Sequence, residues 1–180
     1  MIRHSSAKKV ARPLLIGALA LLIPVATAGC EAGFDAPTLE FHQASAGAHV
    51  VVNGITISNV FVLGAPTGSS LPPGSSASVF LSLFNGGTNS DALVSVSAQG
   101  ASSGHLSGGT VNLPANSAVN LTGPQPSVVI SGLKQTLSGG EDIPLTLTFT
   151  HAGSVTLQVP VQPQSFYYST YSAAPTPASS

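Results

Sequence analysis

The sequence predicts an all-β protein: a single antiparallel β-sandwich or Greek-key barrel behind an N-terminal leader and a tether. Three observations predict it. From about residue 50 onward, apolar residues alternate with Ser and Thr, the pattern of strands with one buried face. Asn-Gly, Gly-Gly and Pro-Pro-Gly punctuation separates these runs at short intervals. No segment after residue 30 sustains a helical period.

The strands follow in order. Val50-Val51-Val52 leads into the turn Asn53-Gly54, and Ile55, Ile57, Phe61 and Leu63 continue with an approximate period of two. Val79, Leu81 and Leu83 alternate with Phe80, Ser82 and Phe84, and Leu93 and Val96 follow among serines. Val111 to Leu113, Val119 to Leu121 and Val128 to Ile130 are shorter runs. Ile143, Leu145, Leu147 and Phe149 alternate with Thr146, Thr148 and Thr150, and Val155, Leu157, Val159 and Val161 form the ninth run. Nine short strands with turn signals between them fit a sandwich. Val79, Leu81, Leu83, Leu145, Leu147, Phe149, Val155, Leu157 and Val159 are the expected core. Pro144 and Pro160 interrupt good strands, so each is expected where no ladder N–H is needed.

Composition excludes several classes. Only 6 % of the 180 residues are charged, against about 25 % in an average soluble protein. Five Lys and Arg give no basic footprint for nucleic acid. One Cys rules out an intramolecular disulfide and a thiolate zinc cluster. Apolar residues at 43 % exclude a wholly disordered chain.

Charge is segregated. Arg3, Lys8, Lys9 and Arg12 lie in the first twelve positions, whereas all six acids lie from Glu31 onward. A basic start followed by the apolar run Leu14 to Ile23 has the form of an export signal. The run ends at Pro24, far short of the roughly 20 residues that a membrane span needs. Ala26-Thr27-Ala28-Gly29-Cys30 resembles a bacterial lipobox, with Thr27 where that motif prefers Leu; Ala26-Thr27-Ala28 also fits an ordinary cleavage site that would release a soluble protein with a free Cys30 thiol. Acylation of Cys30 would consume a thiol that is a liability in an oxidising compartment, and two acyl chains suffice for stable anchoring. The expected layout is a signal over 1–29, a tether over 30–48, the sandwich over 49–162 and a tail over 163–180. That places the protein on the extracytoplasmic face of a bacterial cell membrane. The tail carries Phe166-Tyr167-Tyr168, then Tyr171, a cluster that either packs on the sandwich or marks a contact surface, and ends in Pro/Ala/Ser linker composition expected to be disordered.

Ser127 to Leu137 with Gly132-Leu133-Lys134, then Gly139-Gly140, Ile143-Pro144-Leu145-Thr146-Leu147-Thr148-Phe149, Ala152-Gly153 and Val159-Pro160-Val161, form an ordered set. Asn85-Gly86-Gly87, Asp91 to Val94 and Leu113-Pro114-Ala115-Asn116 precede it. In this order the chain resembles the PCu(A)C periplasmic copper chaperone family over residues 50–162. With the lipobox it is most similar to that family's LpqE-type lipoprotein branch. The resemblance implies a cupredoxin-like or immunoglobulin-like sandwich. It also implies where copper would bind: a His-x-Met pair falling here on Ser127 and Val129, and a loop over residues 100–109 whose one donor is His105.

Ser127 is a poor Cu(I) ligand, Val129 has no donor atom, and no Met follows Met1. His42, His49 and His151 are scattered through tether and turn contexts. Glu141-Asp142 is read as a solvated turn, since neighbours in a strand point to opposite faces. No nucleophile elbow and no Gly-rich loop opening a helix is present. The expected function is a non-enzymatic, lipid-anchored envelope module without cofactor, binding an envelope protein or other envelope component. The alternative is a metal carrier that completes a copper site from His105 with another histidine or a partner.

Overall fold

The computed structural model describes residues 47–174; the leader, Cys30, His42 and the tether up to residue 46 lie outside the described residues. Strand β1 (Ala48–Val52) meets β2 (Ile55–Leu63) through a two-residue Asn53-Gly54 turn in which both residues have positive φ, 42° and 85°. Asn-Gly suits this turn because both residues tolerate the left-handed region. The Asn53 side-chain amide donates to the Ala152 carbonyl at 2.8 Å, tying the turn to a segment 99 residues later in the sequence.

Eight further strands continue the chain as far as the long hairpin that ends it. They are β3 (Ser70–Leu71), β4 (Ser76–Asn85), β5 (Asp91–Ala98), β6 (Ser103–Leu106), β7 (Val111–Leu113), β8 (Ser117–Leu121), β9 (Val128–Ser131) and β10 (Leu137–Ser138). The hairpin itself is β11 (Asp142–Phe149) and β12 (Ser154–Gln162). The strand order β6-β9-β4-β2-β12-β11-β5-β7 makes two antiparallel layers. They are joined by a short parallel pairing of Val161 with Val62 and Gln162 with Leu63. The expected sandwich is thus observed. Pro144 lies one residue before β5 joins β11, and Pro160 one residue before β2 joins β12, so neither removes a needed ladder donor.

The core lies between the layers. Leu81, Leu83, Leu145, Leu147, Val79 and Val159 are all buried, with Phe149 and Leu157 beside them. Val155 differs from expectation: it sits near the start of β12 and is only partly buried against this core.

Strand β2 departs from simple alternation. Ser58 pairs with Ser82, but the next pair is Phe61 with Phe80, so β2 carries one residue more than β4 over this step. The extra residue is accommodated at Asn59, with φ 54°, a β-bulge. Before it, Ile55 and Ile57 face the core; after it, Val60 and Val62 do. Phe61 and Leu63 therefore point to the outer face, where they join Phe80 in a second apolar cluster.

The C-terminal segment covers that cluster. Tyr168 stands 4.9 Å and Tyr171 5.7 Å from Phe61, and Tyr171 meets Phe80 edge-on at 4.8 Å, ring centre to ring centre. Offset and edge-on contacts of this kind are the favourable aromatic geometries. Burial, with Tyr171 close by, pushes the Tyr168 phenol above its ordinary pKa. The Ser78 hydroxyl donates to the Ser172 carbonyl at 3.1 Å, and the Ser172 N–H to the Pro124 carbonyl at 2.9 Å. Residues 163–174 thus pack on the sandwich as a strap, one of the two roles the sequence left open for the aromatic cluster. Residues 175–180, with the Pro/Ala/Ser end, lie outside the described residues.

At the opposite end, Asp91 clasps the β11–β12 turn. Its carboxylate accepts the N–H groups of His151, Ala152 and Ala92 at 2.9, 2.8 and 2.7 Å. Burial opposes ionisation, but these three donors outweigh it and, helped by the nearby His151 ring, hold the carboxyl below its ordinary pKa.

Two outcomes follow. Phe149→Ala is expected to lower unfolding free energy by about 3–5 kcal/mol, read by urea denaturation, because it empties a core site. Asp91→Asn keeps the shape and removes the charge, costing about 1–2 kcal/mol at neutral pH. A depressed folded pKa stabilises above the unfolded carboxyl value, and that stabilisation fades as pH falls through the folded one. The gap between wild type and Asp91→Asn should therefore close on acidification below about pH 4.

Candidate functional site

Strand β9 is one wall of the candidate site. Val128 and Ile130 point inward and are fully buried, so Val129 points outward, with Ser127 on the same side just before the strand. On β6, Leu106 is buried and His105 faces outward and exposed. The β6–β9 register places His105 directly opposite Val129. Paired residues of antiparallel strands stand about 4.5–5.5 Å apart at Cα. The Ser107 N–H donates to the Ser127 carbonyl at 2.8 Å, extending the pairing past the strand ends. His105, Val129 and Ser127, from two segments more than twenty residues apart, therefore share one patch of the outer face.

Sequence reasoning placed His105 in a loop; it lies on strand β6. The Ser103-Gly104-His105-Leu106 run has one large apolar residue, so alternation cannot reveal it. The strand is held by its ladder with β9 and packs so close to β5 that a Cβ on Gly104 would collide with the Val96 carbonyl oxygen. Only glycine lets β6 cross β5 this tightly.

The row extends across the sheet. Val129 pairs with Ser78 on β4, and Ser78 with Leu63 on β2. Ser78 is fully buried beneath the strap through its bond to Ser172. The His105–Val129 pair thus borders the covered face rather than lying on open sheet. Chemically the patch offers one imidazole and hydroxyls. No group of three or more His, Cys, Asp or Glu side chains gathers to hold a metal among the described residues.

Other positions do not join it. His49 is exposed on β1, and His151 lies in the β11–β12 turn, 3.5 Å by its Nδ1 from an Asp91 oxygen. Around that pair is a polar cleft of about 300 Å³ with Asn53, Asn85 and Asn89. Asp91 is committed there to three backbone donors, and Asn85 to Asn89, Leu113 and Gly87, so these polar groups brace loops. A larger open cleft of about 550 Å³ between Pro66 and Pro163 is lined by glycines, prolines and hydroxyls. Glu141 accepts the Ser138 N–H at 3.3 Å in a turn, while Asp142 starts β11.

Three solved structures are similar in fold. The apo PCuAC domain from PmoF1 matches with TM-score 0.56 at 21 % identity, over 64 % of this chain and 99 % of that one. The copper-bound PCuAC domain from PmoF2 matches with TM-score 0.54 at 22 % identity, over 64 % and 98 %. The apo PmoF2 PCuAC domain matches with TM-score 0.55 at 20 % identity, over 66 % and 98 %. No curated protein matches the chain. The family model described as "Putative lipoprotein LpqE-like" matches residues 55–161, nearly the whole sandwich. That match spans more than half of the sequence, and the protein belongs to the LpqE-like lipoprotein family.

Proposed function

We propose that the protein is a non-enzymatic lipoprotein of the cell envelope. In this reading it is anchored through acylated Cys30 to the extracytoplasmic face of the membrane, and its sandwich keeps the frame of a copper chaperone without the donors. The observation that carries the reading is the pairing of His105 with Val129 beside Ser127. The strands bring together the positions that the resemblance assigns to copper, and they bring together an imidazole, a methyl-bearing side chain and a hydroxyl. Cu(I) selects soft thioether and imidazole ligands, and the only Met is Met1. A chaperone must hold copper selectively enough to pass it on, and one exposed imidazole does not do so. The fold then acts as a rigid β platform that binds another envelope component.

The use of the described polar groups supports the non-enzymatic reading. Asp91 is saturated by backbone donors, and Glu141 and Asp142 stand at a turn and a strand start. The alternative, a metal carrier in which His105 is completed by another histidine or a partner, draws on the same patch.

Growth with a labelled fatty acid is expected to label the protein, and Cys30→Ala to abolish the label. Wild-type protein recovered unlabelled from the medium would overturn the anchor. In a competition titration, the purified protein should take no stoichiometric Cu(I) from a chelator. A one-to-one site that disappears in His105→Ala would establish the carrier instead.

A further inference from the structure

The strap contains four aromatic residues, and they divide sharply. Tyr168 and Tyr171 pack on Phe61 and Phe80, whereas Phe166 and Tyr167 are 88 % and 92 % exposed. These two exposures are a built feature. Phe166 has φ 52°, in the left-handed region that a large side chain avoids. A 3-10 turn over Phe166–Tyr168 holds it there. The Tyr168 N–H donates to the Ser165 carbonyl at 3.0 Å, and the Ser169 N–H and hydroxyl both donate to the Phe166 carbonyl, at 3.2 and 2.7 Å. The turn is pinned in turn to the sandwich: the Thr67 N–H and hydroxyl reach the Ser165 hydroxyl at 3.1 and 2.8 Å. A pinned, strained turn thus presents two adjacent rings to solvent.

Topology shows which way they face. The strap leaves β12 at Gln162, level with Leu63 at the C-terminal end of β2. Strand β1 is antiparallel to β2 and starts with Ala48 opposite Val60, so its N-terminal end points the same way. The chain arriving from Cys30 therefore enters at the end of the sandwich that carries the two rings. From Cys30 to Ala48 the backbone spans at most about 60 Å fully extended, which keeps the domain within reach of the bilayer it is tethered to. Such tethering turns a weak contact into an intramolecular one with high effective concentration.

We propose that Phe166 and Tyr167 form a membrane-contacting tip that inserts at the boundary between lipid head groups and acyl chains. Rings with an apolar body, one carrying a hydroxyl, suit that boundary. Residues 163–174 and 64–70 contain no charged side chain to resist burial. Glu141 and Asp142 flank this end, next to the Gly139 that packs against Pro163. Their charge favours zwitterionic over anionic lipid. The proposal rests on the anchored reading above and assigns the domain an orientation: this end down, the β5–β7 end with the Asp91 clasp away from the membrane.

The sequence contains no Trp and one Cys, which makes the test direct. A chain from Cys30 onward carrying Tyr167→Trp is coupled through the Cys30 thiol to a maleimide-headgroup lipid in phosphatidylcholine vesicles. This tethering does not depend on whether the cell acylates Cys30, so failure of the anchor and failure of the tip are read separately. Phosphatidylcholine brominated on its acyl chains should quench the Trp emission and the spectrum should shift to the blue. Phe166→Ser in the same background should reduce the quenching at least about twofold through the lost ring. Replacing half of the lipid with phosphatidylglycerol should weaken it as well. Trp emission that stays at the water-exposed wavelength and ignores the brominated lipid overturns the proposal. Phe166→Trp with Tyr167 retained is the second reporter, and near-ultraviolet circular dichroism of the strap tyrosines checks that each variant is folded.

Discussion

The second half of strand β2, from Val60 to Leu63, is buried on both faces, and much of the molecule follows from that constraint. One bulge at Asn59 changes which side chains point inward, so Ile55, Ile57, Val60 and Val62 all serve the inner core while Phe61 and Leu63 serve the outer face. Two large outer side chains beside Phe80 make an apolar surface that cannot stay wet without penalty. Covering it takes the strap, whose Tyr168 and Tyr171 fill the space over Phe61 and Phe80. The strap in turn buries Ser78, fixes Ser172 against Pro124 and sets the 3-10 turn with its two outward rings. Strand pairing, tail placement and surface character are thus coupled through one extra residue.

The same face carries His105, Val129 and Ser127. Strand β9 is held by β4 on one edge and β6 on the other. Its register is fixed because slipping by one residue would expose Val128 and Ile130. Gly104 lets β6 approach β5, and the β6–β9 register sets His105 opposite Val129. Backbone geometry and donor chemistry are separable here: the first is specified by buried residues and a glycine, the second by outward side chains that the core does not constrain. Buried residues can therefore fix this frame whatever side chains stand outward at positions 127 and 129.

Much of the fold was legible in the sequence. Alternation with Ser and Thr marked the long strands, Asn53-Gly54 marked its hairpin, and the two prolines marked places where a second strand has not yet joined. Three features were not legible. A bulge adds a single residue, so Ile55, Ile57, Phe61 and Leu63 read as one approximate period although Asn59 splits them between two faces. Strand β6 has too few apolar residues to show a pattern and depends on a contact between distant segments. The strap has loop composition, and its place is set by aromatic partners more than eighty residues earlier. Of the candidate site, residue identities were legible and the juxtaposition was not, because register across β6 and β9 is a tertiary property.

Separability of frame and donors is the central claim, and restoring the donors tests it most directly. A variant carrying Ser127→His and Val129→Met, with His105 retained, places two imidazoles and a thioether on the patch described above. In a competition titration against a Cu(I) chelator, this variant should withdraw one equivalent of Cu(I) that the wild type leaves behind, and His105→Ala in the variant should weaken that binding. A folded variant that gains no Cu(I) affinity over wild type would contradict the account, because the strands would then not hold these positions in a binding arrangement.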